Sequence, residues 1–229
     1  GFSINKWWES NVPHTFVIGE MAGTHGVKRP GGSALNAGQV GASRAAEYIT
    51  HAYGSDEPTE SAAATVAERG LAETTLVDEL LSRRTTAKAT PADVMAEIGD
   101  RMTRYGAHLR SRTGAADALA AARAQYARLR AEGVKFDSVA DLPAAVVAVQ
   151  QCLTQVALLK AIVAMFERGA GSRGSHCVLD PKGTPMHPKL IDPETSEPLR
   201  FLPENEALRR EIVELWFDPK AADLFAWHT

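Results

Sequence analysis

Between residues 16 and 35 the chain reads FVIGEMAGTHGVKRPGGSAL, which sets a carboxylate (Glu20), an imidazole (His25) and a guanidinium (Arg29) among five glycines. An arginine in such a loop can hold a carboxylate through two parallel hydrogen bonds, because its planar fork matches the two oxygens. Gly19, Gly23, Gly26, Gly31 and Gly32 are positions where backbone can approach a flat ligand or adopt φ above zero. Ser33 opens a helical pattern, with Leu35, Val40, Ala45, Ala46 and Ile49 at helix-compatible spacing to about Tyr53. The first-turn N–H groups of that helix favour negative charge, so the loop reads either as a ligand cradle or as a tight structural connection. Neither the dinucleotide-binding G-x-G-x-x-G spacing nor the P-loop spacing is present.

Those groups need elements to hold them. Thr15, Phe16, Val17 and Ile18 form a short apolar run of the kind that fills a central strand. After a polar break at residues 54–58, residues 60–83 predict an alanine-rich helix or helix pair with Val66, Leu71, Leu76, Leu80 and Leu81 on its apolar side, interrupted at Gly70. Thr90 before Pro91, with Asp93 three positions on, predicts a capped helix presenting Val94, Ile98, Met102, Tyr105 and Leu109 on one face. Thr113 starts a second, with Leu119, Ala122, Tyr126 and Leu129 inward, ending at Gly133. Ser138 with Asp141 predicts a capping box for a third and longest helix, striped by Leu142, Val146, Val149, Leu153, Val156, Leu159, Val163 and Phe166. Three amphipathic helices with short connections predict an antiparallel bundle. The arginines between Arg101 and Arg130 read as its solvated face. Residues 178–203 read as an extended tail, and residues 206–228 as a short helix with an aromatic patch of Trp216, Phe217, Phe225 and Trp227 that is either an interface or a small local core.

Bulk properties narrow the function classes. A chain of 229 residues with 45% hydrophobic content can supply a sizeable core. A net charge of −3 gives no electrostatic footprint for nucleic acid or an acidic membrane surface. No apolar run of transmembrane length is expected, and two cysteines without metal-ligand spacing suit a reducing compartment, so the expected location is cytoplasmic. No pattern of histidines suggests a metal site.

The pattern GE-x-A-G-T-H-G-x-x-R-x-G-G-x-x-L closely resembles the loop with which flavoproteins of the succinate dehydrogenase and fumarate reductase family close over FAD, where the usual text ends HGANRLGGNSL. A second resemblance lies downstream, where residues 90–167 read like the helical C-terminal domain of that family, and Ser172-Arg173-Gly174-Ser175-His176 resembles its SRGAH stretch. The resemblance implies that Arg29 clamps a substrate carboxylate, that His25 shapes the loop, and that Glu20 contacts the ribityl chain of FAD. It further implies that Gly31, Gly32, Ser33, Ala34 and Leu35 present the helix start to the flavin pyrimidine edge. Departures are Ala34 for the family serine, and Lys28 and Pro30 beside Arg29, which bear on the substrate more than on the flavin.

The fold implied is mainly α, an antiparallel three-helix bundle preceded by a strand-loop-helix remnant of an FAD-binding domain. Residues 1–53 would be that remnant, 54–89 a connecting helical segment, 90–177 the bundle, and 178–229 an extended tail with a short helix. The function implied is hydride transfer between a carboxylate-bearing substrate and flavin in a longer FAD-dependent oxidoreductase, with this portion inactive by itself. Its partners would be the N-terminal FAD-binding and capping domains, a small carboxylate substrate and an electron-transfer subunit, with neither nucleic acid nor a transmembrane segment. The competing expectation is a helical interaction module that docks an electron-transfer partner or subunit.

Overall fold

The protein was described from a computed structural model covering residues 1–24, 31–53, 60–174, 176–193, 195–218, 220–221 and 224–229. It is mainly helical and divides into two compact units, Gly1–Ala67 and Glu68–Thr229. Their helices in chain order are α1 (Ser33–Tyr48), α2 (Glu60–Arg83), α3 (Pro91–Arg101), α4 (Arg112–Glu132) and α5 (Leu142–Glu167). The boundary between the units falls within α2.

In the first unit the expected strand at residues 15–18 does not form. Phe16 makes a single antiparallel bridge to Glu9, and Phe2 a parallel one to Ala22. Four apolar residues make a central strand only when strands flank them, and none of the described residues supplies that sheet. A small core of Trp8, Val17 and Ala22 takes its place, with Ile4 and Ala37 against it. Trp8 lies so close to α1 that a Cβ on Gly41 would come within 2.8 Å of its ring, so the indole takes the space a side chain would occupy. The helix from Ser33 ends as expected near Tyr53, its last turn widening into a π turn at Ile49–Tyr53.

In the second unit α3, α4 and α5 share one apolar interior. Leu80 from the end of α2, Val94 and Ile98 from α3, Leu129 from α4 and Ala145, Val149 and Cys152 from α5 form a continuous cluster. Ala118, Leu119, Ala122, Val156 and Leu159 form a second cluster between α4 and α5. The helix ends follow their caps: the Thr90 hydroxyl accepts from Asp93 N and the Asp93 carboxylate accepts from Thr90 N, and Ser138 and Asp141 repeat the arrangement.

Three expectations are corrected. Gly70 does not interrupt α2, which runs unbroken to Arg83, since one glycine costs a helix only about 1 kcal/mol. Val66 and Leu71 stay exposed, so the apolar side of α2 works only from Leu76 onward. The helix opened by Thr90 stops at Arg101 and passes through a π turn, Met102–Gly106, so Leu109 belongs to a strand rather than to the helical face. By length and composition alone Val139–Glu167, α5 with its preceding turn, passes the test for a membrane-crossing helix at a mean hydropathy of 1.6, a test that the core helix of a globular protein also passes.

The strands are β1 (Leu109–Arg110), β2 (Cys177–Pro185), β3 (Arg200–Leu202), β4 (Glu214–Phe217) and β5 (Phe225–His228). β2 pairs parallel with β1 and antiparallel with β3, the latter through a bulge between Leu179 and Thr184. The proline-rich stretch is thus extended, as expected, but part of it is organised on the chain itself, with Val178 and Phe201 buried. The aromatic patch sits on a β4–β5 hairpin, Phe217 meeting Phe225 edge-on across it, and the expected short helix is a single 3-10 turn at Glu206–Arg210.

Candidate functional site

Glu20 lies in a 3-10 turn, Gly19–Met21, that packs beside the first turns of α1: a Cβ on Gly19 would sit 3.7 Å from Gly38 Cα. Ser33, Ala34 and Leu35 form the first turn of α1, and Gly32 is its N-cap, with φ 80° in the left-handed region that a glycine enters at little cost. A glycine has no side-chain oxygen, so the N-cap residue itself makes no side-chain cap hydrogen bond. Glu20, Gly31, Gly32 and Leu35 are all exposed, Leu35 at 76%. The fold therefore brings Glu20 and the helix start into one small unit and leaves both facing solvent. His25 and Arg29 lie outside the described residues.

Beside this site the first unit carries an arrangement that the sequence reading missed. Glu9, 8% exposed, accepts hydrogen bonds from the Tyr53 hydroxyl (2.6 Å) and the His14 backbone N–H (2.9 Å). These donors hold its carboxyl below the usual range, with Tyr53 the largest cause, and the same bond pushes Tyr53 well above the ordinary tyrosine value. The Tyr53 ring meets His14 at 4.2 Å and Tyr48 edge-on at 5.5 Å, and Tyr48 stacks at 5.4 Å on Trp7, over whose ring Arg44 lies at 5.3 Å. Trp8 and His14 hold φ of 69° and 63°, backbone that bulky residues adopt only when surroundings enforce it. Trp7 and Trp8 stand in tandem in the sequence, and the fold makes Trp8 a core ring and Trp7 a half-buried one.

The second unit hides a polar network inside its helices, which corrects the expected solvated arginine face at Arg101, while Arg104, Arg112 and Arg128 are exposed. Arg101 is 9% exposed. Its Nη1 donates to Gln125 Oε1 (2.7 Å) and Gln155 Oε1 (2.9 Å), and its Nη2 to Glu97 Oε1 (2.6 Å). Gln155 Nε2 donates to Gln125 Oε1 at 2.6 Å, and Arg128 closes the network on Glu97 Oε2 at 2.8 Å. Arginine and glutamine at helix positions read as surface residues, so only their facing one another across α3, α4 and α5 reveals the network. Burial pushes the neighbouring Cys152 thiol above its ordinary value.

Arg173 and His176 exchange backbone hydrogen bonds, Val178 N–H donates to the Ser172 hydroxyl, and Arg173 Nε pairs with Glu204 at 3.0 Å. Beside this segment lies a cleft of about 60 Å³, with Met165, Ala170, Leu208 and Val213 among its walls and the Arg173–Glu204 and Arg168–Glu211 pairs at its sides. Among the described residues no group of three or more His, Cys, Asp or Glu side chains could hold a metal ion. No family model, curated protein or solved structure matches the chain.

Proposed function

We propose that this chain supplies the flavin-closing loop and the helical C-terminal portion of a longer FAD-dependent oxidoreductase of the succinate dehydrogenase and fumarate reductase type. The observation that carries the reading is the left-handed Gly32 N-cap, a residue with no capping side chain, which begins α1 in the same unit as the Glu20 turn at the positions where the sequence resembles the family loop. A helix N-terminus without a side-chain cap suits the pyrimidine edge of a flavin, because its positive end stabilises the anion formed on reduction. On this reading Glu20 contacts the ribityl chain, residues 31–35 the flavin, and Arg29 the substrate carboxylate, with His25 shaping the loop. FAD supplies the hydride-accepting chemistry, and α3, α4 and α5 form the antiparallel bundle of the family's C-terminal domain. The remaining FAD-binding and capping domains are partners of this portion, which does not turn over alone, and the parent is cytoplasmic.

Expression together with the upstream coding sequence tests the reading. A protein that purifies with FAD and loses carboxylate-substrate affinity, but not flavin, on Arg29→Ala supports it. A protein that neither retains nor takes up added FAD overturns it in favour of a helical interaction module. That second reading draws on the exposed apolar residues Ile212, Trp216 and Phe217 at and before the β4–β5 hairpin.

A further inference from the structure

We propose that the cleft between the C-terminal end of α5 and the chain that follows β3 binds a small aliphatic α-amino acid as its zwitterion. The cleft holds no residue of the flavin loop, so the proposal stands or falls separately from the flavin reading.

Its base is fixed by the fold. Ser172 N–H donates to the Leu202 carbonyl (3.2 Å), Asn205 Nδ2 donates to the Gly169 carbonyl (3.1 Å), and a Cβ on Gly171 would collide with the Pro203 carbonyl, so these two segments lie in direct contact. Met165, Ala170, Leu208 and Val213 supply the apolar walls. A volume of about 60 Å³ has room for roughly four water-sized groups, whereas a cavity that takes a benzene ring measures about 150 Å³. A branched alkyl group of three carbons fits, and an aromatic side chain does not.

Charges of both signs line the same cleft. Arg168, the C-cap of α5, pairs with Glu211, and Arg173 pairs with Glu204. The second pair is lopsided. Arg209 donates to both oxygens of Glu204, at 3.1 Å and 2.7 Å, and is the main cause that holds the Glu204 carboxyl below the usual range, with Arg173 a lesser one. Arg173 faces Glu204 through Nε at 3.0 Å, and among the described residues its two Nη groups have no hydrogen-bond partner. Those groups form a fork that fits a carboxylate. The Arg168–Glu211 pair leaves an acceptor instead: Glu211 meets Arg168 through Oε2, and its Oε1 accepts no hydrogen bond from the described residues. Glu211 is held at the C-terminal end of α5, where the helix dipole also favours a cation.

A carboxylate-binding fork, an open carboxylate oxygen and one apolar slot match a molecule that carries a carboxylate, an ammonium and a small alkyl group on a single carbon. A plain anion would also meet Glu211, and a plain cation would also meet Arg173. The zwitterion answers both.

Calorimetric titration of the full chain with L-valine at neutral pH tests this, and one saturable site per chain is expected. Isobutylamine, which lacks the carboxylate, and isovalerate, which lacks the ammonium, should each bind at least about tenfold more weakly, and L-phenylalanine should not bind. Arg173→Met removes the fork and Glu211→Gln the ammonium acceptor, and each should weaken L-valine at least about tenfold. Glu211→Gln keeps the side-chain shape, so it decides alone should Arg173→Met fail to fold. Arg104→Gln, an exposed site paired with Asp100, should bind as the unsubstituted chain does. Absence of saturable binding at tens of millimolar L-valine overturns the proposal. So does isobutylamine, isovalerate or L-phenylalanine binding as tightly as L-valine, or equal L-valine binding by the unsubstituted chain and Glu211→Gln.

Discussion

Residues 1–67 gather their core around Trp8, Val17 and Ala22, while Leu35, Val40, Met21 and Phe2 stay largely exposed. Residues 68–229 enclose two apolar clusters between long helices and, inside them, a fully hydrogen-bonded arginine and two glutamines. The first unit relies on contacts at its rim, a buried carboxylate and a chain of rings, because a small chain segment buries too little apolar area to fix itself. The second has area enough to enclose charge without losing its shape.

Breaking the interior network gives the largest expected effect. Arg101→Ala should cost about 3–5 kcal/mol, because the buried Gln125 and Gln155 lose a shared donor in a dry setting while the more exposed Glu97 keeps Arg128. The triple replacement Arg101→Met, Gln125→Leu, Gln155→Leu should recover most of that loss in chemical denaturation, since well-packed apolar residues replace a satisfied network at little cost. A triple variant as unstable as Arg101→Ala would mean that the network itself holds the helices.

A smaller change sharpens the contrast from the other side. Gly41→Ala places a methyl 2.8 Å from the Trp8 ring, whose backbone is already fixed in the left-handed region, and overpacking there should cost about 1–3 kcal/mol. Hydrogen exchange should accelerate in residues 1–53 and stay unchanged in α3, α4 and α5. Uniform acceleration across both units would show that they unfold as one.

The smallest effect is a pH dependence. Glu9 has a depressed folded pKa, so its contribution is complete above the unfolded carboxylate value near 4.3 and is lost as pH falls through the folded one. Tyr53 is shifted the other way, so its contribution is complete below its unfolded value near 10 and is lost only as pH rises past the elevated one. Tyr53→Phe should move the Glu9 midpoint up towards the ordinary carboxylate value by NMR titration and reduce the acid sensitivity of the first unit. An unmoved midpoint would assign the depression to the His14 backbone bond instead.

Much of the helical architecture was legible because its signals are local. Thr90 with Pro91 and Asp93, Ser138 with Asp141, and Gly133 at the end of α4 mark helix ends through bonds spanning a few residues. The four-residue run before Gly19 misled for the opposite reason: a strand is defined by its neighbours, and apolar β-branched residues pack equally well in a small irregular core. Of the candidate site, the helix start at Ser33 and the turn at Glu20 were legible, as capping and glycine chemistry. Their exposure and their shared unit were not.

The amino-acid sequence by itself determined where helices begin and end, which faces are apolar, and that glycines flank an acid and a basic loop, because propensity, capping and periodicity act within one or two turns. Only the tertiary structure decided that Arg101 turns inward to Gln125 and Gln155, and that Glu9 meets Tyr53. Those pairings join residues 24 to 54 positions apart, and at that range burial and charge matching, rather than local preference, choose the partner.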